Sequence, residues 1–143
     1  SRFHHYLPII SPDGHLLAYG SDETGEIVVY VLELRADGST SNPVAVRTRG
    51  LLANPGYAWS TDGATLFVGD EFQRLMKVAV STRPRLALSA PTQVFDMNEL
   101  RVAWWSVLPD GRFLVTRYTP AATRLNLELN WTEELKRMMR AAR

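Results

Sequence analysis

The sequence predicts an all-β fold built from three similar units of antiparallel strands. The first basis is a set of three turn sequences that end in Asp-Gly and lie at a regular spacing, Ser11-Pro12-Asp13-Gly14, Ser60-Thr61-Asp62-Gly63 and Leu108-Pro109-Asp110-Gly111. Asp62 follows Asp13 by 49 residues, and Asp110 follows Asp62 by 48 residues. The second basis is that apolar, β-branched segments flank each turn in the same order. Repetition at a fixed period of this size indicates a repeat architecture.

Each turn has residue types that suit a tight hairpin. Proline presets φ for the second turn position, aspartate tolerates the third, and glycine supplies the positive φ that closes a type I turn with a bulge. Thr61 replaces proline in the middle turn, which we therefore expect to be slightly less rigid. Turn chemistry alone accounts for the aspartates, so we assign them a structural role and no ligand.

Strand-forming residues define the same elements in each unit. Each turn is preceded by one short strand and followed by two, and the first two units also have an outer strand. The predicted strands are 6–10, 15–19, 26–34 and 43–47, then 56–59, 64–68, 74–80 and 92–95, and finally 102–107, 112–116 and 124–129. Two units therefore have four strands each, and the third has three.

Apolar runs in these strands indicate burial on both sheet faces. Segments such as 16–19 and 27–32 are almost continuously apolar, which is typical of strands covered on both sides. Small sheets stacked face to face around an axis satisfy this pattern, and a four-stranded unit recurring about every 40 to 50 residues predicts a β-propeller. We expect one partial propeller domain over 1–143, half of a six-bladed ring. Its predicted parts are blade 1 (1–49), blade 2 (50–97), blade 3 (98–131) and a C-terminal helix (132–143).

The last twelve residues follow the pattern of a short helix. Thr132 is a suitable N-cap, and Glu133 and Glu134 lie in the first turn, where negative charge is favourable. Leu135 and Met138 belong to an apolar stripe. This stripe is suited to cap the open edge of the last blade or to dock on a partner.

The repeats resemble those of the TolB-like, WD40-like (PD40) β-propeller family. The resemblance rests on Ile10-Ser11-Pro12-Asp13-Gly14-His15-Leu16-Leu17-Ala18-Tyr19, followed by Val29-Tyr30-Val31. It extends over essentially the whole chain, through Trp59-Ser60-Thr61-Asp62-Gly63 and Leu75-Met76-Lys77-Val78 to Leu129-Asn130-Trp131-Thr132-Glu133-Glu134-Leu135-Lys136. The last of these segments is the most specific. The nearest likeness is to the C-terminal propellers of bacterial serine/threonine kinases and related sensor proteins.

The resemblance implies a ring of about six blades, of which this chain holds three. It also implies that Arg143 lies close to the natural C-terminus, because such propellers typically end with an Asn-Trp-x-x-Glu-Leu segment. We therefore expect either a fragment of a longer propeller chain or a homo-oligomer in which two copies close a six-bladed ring. The sequence contains no kinase signature, neither a Gly-rich phosphate loop nor a His-Arg-Asp or Asp-Phe-Gly motif.

Charge and composition do not point to a nucleic-acid or membrane partner. The 16 basic and 15 acidic residues give a net charge of +1, which provides no strong attraction to phosphates or anionic lipid. The longest stretch without Asp, Glu, Lys or Arg, 50–61, is too short and too broken to span a bilayer. The chain has no cysteine, which excludes disulfides and a cysteine nucleophile. We expect a soluble protein of the cytoplasm or periplasm.

Patterns for catalysis or metal binding are weak. No Gly-x-Ser-x-Gly motif is present, and the three histidines, His4, His5 and His15, lie near one end. Adjacent histidines on a strand point to opposite faces, so His4 and His5 do not easily share an ion. The pairs Asp22-Glu23 and Asp70-Glu71 supply fewer carboxylates than calcium requires, and we interpret them as solvated loop tips. We expect no metal and no cofactor.

The tryptophans are interpreted mainly as packing residues. Trp59 and one of Trp104 and Trp105 are placed on inner strands, where they pack between blades. Trp104 and Trp105 point to opposite sides of one strand, so one of them is available at an exposed face.

The function that we favour is non-catalytic protein binding or self-assembly. Three blades leave two apolar faces uncovered, and exposed apolar patches mark association. The loops between the second and third strands lie on one rim of a propeller. They supply most of the candidate partner contacts, which are Asp22, Glu23, Asp70, Glu71, Arg117 and Tyr118, together with Leu135 and Met138. Two alternatives stay open: a metal-assisted hydrolase or lactonase of propeller type, and a small-ligand sensor domain.

Overall fold

The fold is all-β in the computed structural model, which describes residues 4–48 and 56–118. These residues form eleven strands and no helix. The strands are β1 (His5–Ile10), β2 (Leu16–Ser21), β3 (Val28–Glu33), β4 (Val44–Ala45), β5 (Tyr57–Trp59), β6 (Thr65–Gly69), β7 (Arg74–Ser81), β8 (Ala87–Leu88), β9 (Thr92–Asp96), β10 (Val102–Val107) and β11 (Phe113–Arg117). Over the same residues, no helix is long and apolar enough to cross a membrane.

The strands form three antiparallel sheets, which we call sheets 1, 2 and 3 in chain order. Sheet 1 has the strand order β1-β2-β3-β4. Sheet 2 has the order β5-β6-β7, and both β8 and β9 pair with β7. Sheet 3 contains β10 and β11. The prediction of an all-β fold with antiparallel units is confirmed, and in the described part of the chain the sheets do not close into a ring.

The predicted strands agree closely with the strands that the structure describes. β10 has the predicted bounds, and the other predicted strands differ from the observed ones by one or two residues at one or both ends. The two-residue strand β8 was not predicted, because Leu86-Ala87-Leu88 is too short for an alternating pattern to be recognised. The predicted strand at 124–129 and the predicted helix at 132–143 lie outside the described residues.

The repeated Asp-Gly turns at Asp13 and Asp62 have the same hydrogen bonds. The Ser11 N–H donates to the Leu16 carbonyl at 2.9 Å, and the Ser11 hydroxyl accepts from the Leu16 N–H at 2.9 Å. Ser60 and Thr65 make the same two contacts, at 2.8 and 2.9 Å. Serine therefore closes both hairpins with its backbone and with its side chain.

The third turn is one residue shorter. The Leu108 N–H donates to the Arg112 carbonyl at 2.8 Å, and leucine has no hydroxyl that could close the hairpin. Instead, Arg112 Nε donates to Asp110 Oδ2 at 2.7 Å. In these three turns, and in a fourth Asp-Gly turn at Asp37-Gly38 between β3 and β4, the aspartate accepts the N–H two residues later, and the glycine φ lies between 69° and 81°. The predicted structural role of these residues is confirmed, although the turns are of two kinds.

Sheet 2 lies between the other two sheets and is buried on both faces. The core cluster between sheets 1 and 2 consists of Leu16, Ala18, Val29, Val31 and Val46 on one side and Tyr57, Trp59, Leu66, Val68 and Val78 on the other. The cluster between sheets 2 and 3 consists of Leu75, Phe95, Met97, Val102, Trp105, Phe113 and Val115. We call these the first and second junctions. The middle sheet contributes residues to both of them.

Alternation along each strand determines which side chains reach each junction. In β6, Leu66 and Val68 belong to the first junction, whereas Phe67 packs against the second. In β2, Leu16 and Ala18 belong to the first junction. The alternating residues Leu17 and Tyr19 therefore point to the opposite face of sheet 1. We call this opposite face, which carries Ile10, Leu17, Tyr19, Tyr30 and Leu32, the N-terminal face.

Sheet 3 has a corresponding outer face. Trp105 belongs to the second junction, so Trp104 and Ser106 point away from sheet 2. Their partners in β11 are Thr116 and Leu114. We call this surface the C-terminal face. Neither junction includes any of the residues that define the two end faces.

Candidate functional site

The rim loop between β2 and β3 is attached to the start of β1 by Asp22. Its carboxylate accepts the His4 N–H at 2.9 Å, lies 3.1 Å from His4 Nδ1 and accepts the Tyr6 hydroxyl at 3.3 Å. The hydrogen bond from the His4 backbone is the main reason that the pKa of Asp22 is lowered. Glu23 is exposed. Burial, and then the neighbouring Glu23 carboxylate, raise the pKa of the Tyr30 hydroxyl.

Asp70 is buried, with 1% of its surface exposed, and is not the solvated loop tip that the sequence predicted. Its carboxylate accepts the N–H groups of Phe72 and Arg74 at 3.1 and 2.9 Å. It also accepts two hydrogen bonds from the Arg74 guanidinium, which lies 5.0 Å from the centre of the Phe72 ring. The loop folds around the carboxylate and leaves only Glu71 of the pair exposed. Asp70 therefore positions the rim loop.

The third rim position is at the end of β11. Arg117 is the last residue of this strand, and Tyr118 follows it with 70% of its surface exposed. The Tyr118 N–H donates to the Arg101 carbonyl at 2.8 Å. The six predicted rim residues thus lie at, or directly after, the ends of the second strands of the three sheets. Leu135 and Met138 lie outside the described residues.

The histidines have different neighbours. His4 Nδ1 lies 3.1 Å from Asp22, whereas the His5 ring packs edge-on against Tyr19 with 5.6 Å between the ring centres. Over residues 4–48 and 56–118 there is no group of three or more histidine, cysteine or carboxylate side chains that could hold a metal ion.

A large apolar side chain is exposed on each end face. Ile10 is 60% exposed on the N-terminal face, although Tyr30 and Leu32 on the same face are buried. Trp104 is 46% exposed on the C-terminal face, whereas Trp105 is only 1% exposed. The prediction that one of these tryptophans packs inside while the other is available outside is confirmed.

The Tyr57 hydroxyl connects sheet 2 to sheet 1. It accepts the Gly20 N–H at 2.9 Å and donates toward the carbonyls of Tyr6 and Leu7, which are 2.7 and 2.6 Å away. A register shift in β1 between Tyr6 and Ile9 leaves these carbonyls outside the regular ladder. Burial raises the pKa of Tyr57 to about 12. This side chain therefore satisfies backbone groups that the bulge leaves unpaired.

A groove of about 730 Å³ lies between the outer strands of sheets 1 and 2. Arg35, Arg47 and Arg85 line it together with Glu33. We call it the outer groove. Sequence reasoning identified none of these residues as a candidate, because the arginines are far apart in the chain and belong to no motif.

The outer strands also contain a second repeated sequence that our sequence analysis missed. It is Ser-x-Pro, which begins at Ser41 and again at Ser89, 48 residues later. The Ser41 hydroxyl accepts the Glu33 N–H at 2.9 Å, and the Ser89 hydroxyl accepts the Ala79 N–H at 2.9 Å. Each hydroxyl also donates to the carbonyl of the following residue, at 3.1 Å. A search for other residue pairs at the period of the turns would have found this motif.

Comparison with known proteins assigns no family to the chain. No protein-family model matches the sequence, and no curated protein matches it significantly.

Proposed function

We propose that this chain is a non-catalytic segment of a TolB-like, WD40-like β-propeller and that it associates with a second copy through its two end faces. The observation that carries the proposal is the exposure of Ile10 on one end face and Trp104 on the other. Exposed apolar patches on a folded surface favour association, and each of these side chains lies on a sheet face that no other described sheet covers. In this proposal the three sheets are three blades, and two copies complete a six-bladed ring.

The register of the strands supports this arrangement. Ile10 pairs with Leu17 on the N-terminal face, in the same way that Trp59 pairs with Leu66 in sheet 2. Trp59 and Leu66 are the side chains that sheet 2 directs toward sheet 1. The strand pairing on the N-terminal face is thus the same as on the face of sheet 2 that packs against the preceding sheet. Trp104 lies on the opposite side of the stack, on a face directed toward a following sheet.

A second copy of the chain supplies the missing sheet at both ends. The C-terminal face of one copy meets the N-terminal face of the other, and the same contact is repeated on the opposite side. Head-to-tail contacts of this kind form a closed ring when the rotation from one subunit to the next divides a full turn evenly. In a ring of about six blades, a copy with three blades spans half of the ring, so the second copy is related to the first by a half-turn. Closure leaves neither end face exposed.

The rim loops would then be repeated around the ring. Glu23, Glu71 and Tyr118 are exposed in these loops and are available for contacts with a further protein. Asp22 and Asp70 are occupied by hydrogen bonds within the chain. We therefore assign them the role of holding the loops in place.

Multi-angle light scattering of the purified chain tests the proposal. We expect a mass of about twice 16.1 kDa at micromolar concentration. Ile10→Glu and Trp104→Glu each place an unpaired charge on one end face and should each give a monomer, because burying such a charge is costly. Phe72→Glu is the matched control. Phe72 is 47% exposed but lies in the loop between β6 and β7, so this variant should keep the wild-type mass.

The two end-face variants also test the geometry of the contact. In a head-to-tail ring both must disrupt association, and mixing them should restore part of it, because one of the two interfaces is then intact. If only one variant becomes monomeric, identical faces meet each other and the ring is contradicted. A stable wild-type monomer throughout the micromolar range would overturn the proposal.

A further inference from the structure

The outer groove concentrates positive charge. Arg35, Arg47 and Arg85 line it with one carboxylate, Glu33, whereas the whole chain has a net charge of only +1. No ion pair joins any of these three arginines to another of the described residues. Arg47 follows β4 of sheet 1, and Arg85 precedes β8 of sheet 2. The two side chains therefore belong to opposite walls of the groove.

The floor of the outer groove is apolar. Val44, Leu86 and Leu88 line it between the polar walls, and the two leucines also pack against the first junction. Its volume of about 730 Å³ lies within the range typical of ligand sites, roughly 300 to 1,000 Å³. An apolar floor beside arginine guanidinium groups favours a ligand that combines apolar groups with carboxylates, because guanidinium binds carboxylate through paired hydrogen bonds.

The groove is elongated. A second depression of about 330 Å³ shares Glu33 and Arg35 with it and continues past His15 and Asp13 to Arg83. A surface that extends from the outer strands to the turn at Asp13 suits an extended chain better than a compact molecule.

Backbone pairing with a ligand is blocked at four positions of the outer strands. The N–H groups of Ser41 and Ser89 already donate to carbonyls of their own sheets, and the prolines two residues later, Pro43 and Pro91, have no N–H. An added strand would therefore find no free donor at these four positions. Side chains, above all the arginines, must select the ligand.

We propose that the outer groove binds an extended peptide segment that carries glutamate or aspartate together with leucine-like side chains. The leucine-like groups lie on the floor formed by Val44, Leu86 and Leu88, and the carboxylates pair with Arg47 and Arg85. The groove lies between the outer strands of sheets 1 and 2, away from both end faces. This binding is therefore independent of association between copies.

Fluorescence anisotropy with a labelled short peptide of glutamate and leucine tests the proposal. The wild-type chain should bind it, and raising the salt concentration should weaken binding because exposed charges are screened. The Arg47→Gln/Arg85→Gln double variant should bind at least about tenfold more weakly, since hydrogen bonds to charged groups are the stronger ones. Arg101→Gln is the control. Arg101 is exposed but lies outside the groove, so this variant should match the wild type within about twofold.

Probe chemistry provides the second set of controls. A peptide with glutamine in place of each glutamate should bind more weakly than the acidic peptide, and citrate should not displace the acidic peptide at comparable concentration. The proposal is overturned if the double variant binds as the wild type does, if salt has no effect on wild-type binding, or if the glutamine peptide binds equally. Tighter binding of citrate or of single-stranded DNA would also overturn it, because the site would then recognise anions in general.

Discussion

The two junctions between the sheets have the same topology but different chemistry. The first combines aliphatic packing with hydrogen bonds from Tyr57 and from Trp59 Nε1, which lies 3.3 Å from the Ile9 carbonyl. The second is centred on Phe113, whose ring centre lies 4.9 to 6.2 Å from those of Phe67, Phe95 and Trp105. In the buried core, sheet 2 meets sheet 1 through polar anchors and sheet 3 through aromatic rings, and the polar contact from Thr61 to the Leu108 carbonyl lies at the exposed turns.

The difference between the two junctions is clearest at Tyr57 and Trp105, which occupy equivalent positions in sheets 2 and 3. Each lies opposite a buried valine, Val68 or Val115, and each belongs to a junction core. The Tyr57 hydroxyl has partners on sheet 1, whereas Trp105 Nε1 has no hydrogen-bond partner in the described part of the chain. Both junctions therefore depend on the packing of apolar faces. The first junction also has hydrogen bonds from the Tyr57 hydroxyl, because the bulge in β1 leaves backbone groups free to accept them.

The largest effect is expected at the aromatic junction. Phe113→Ala removes the ring that contacts those of Phe67, Phe95 and Trp105, and large-to-small changes of this kind cost about 3 to 5 kcal/mol. Urea unfolding followed by tryptophan fluorescence should measure this loss. Phe72→Ala, at an exposed phenylalanine, should cost no more than about 1 kcal/mol. Similar losses for the two variants would contradict the central position of Phe113.

A smaller effect is expected at the polar anchor of the first junction. Tyr57→Phe leaves the buried Gly20 N–H without an acceptor, and such a loss costs about 1 to 3 kcal/mol. The same unfolding measurement on Tyr118→Phe, where the hydroxyl belongs to an exposed side chain, should show almost no change. If Tyr57→Phe is as stable as the wild type, the hydroxyl does not anchor sheet 2.

Alkaline pH tests the same hydroxyl without a change of packing. Because the pKa of Tyr57 rises from 10.0 to about 12 on folding, the folded state favours the neutral hydroxyl. This contribution to the free energy of unfolding is complete below pH 10 and is lost as the pH rises toward 12. Wild type should therefore lose more stability than Tyr57→Phe over this range, and equal losses would contradict the assignment.

The smallest effect concerns the turn of the middle sheet. Ser60→Ala removes the hydroxyl that accepts the Thr65 N–H, at an expected cost of about 1 kcal/mol. Thr82→Ala, at an exposed residue, is the control and should change stability by less than about 0.5 kcal/mol. The third turn functions with Leu108 at the corresponding position, so a loss near zero for Ser60→Ala would mean that the hydroxyl is dispensable there too.

Acid pH extends this test. The hydrogen bond from Ser60 is the main cause of the lowered pKa of Asp62. A carboxylate with a lowered pKa stabilises the fold above its unfolded value of 3.8 and loses this contribution as the pH falls below it. The Ser60→Ala variant should therefore lose less stability than wild type on acidification.

Sequence reasoning succeeded where the determinants are local. The strand bounds in the described ranges were predicted within two residues, and the Asp-Gly turns have the predicted positive φ at glycine. It failed at Asp70, because the Asp70-Glu71 pair has the composition of a solvated loop. Only the return of the chain to Arg74 provides the partner that allows the carboxylate to be buried.

The sequence by itself determined the repeat period, the turns and the alternation of the strands, because these depend on the conformational preferences of neighbouring residues. The tertiary structure decided which face of each strand is covered by a neighbouring sheet. Ile10 is therefore exposed, although Trp59, which occupies the same position in sheet 2, is buried. It also brought Arg47 and Arg85 to one groove across 38 residues of chain. Such contacts join different sheets and depend on how the sheets stack, so no local pattern specifies them.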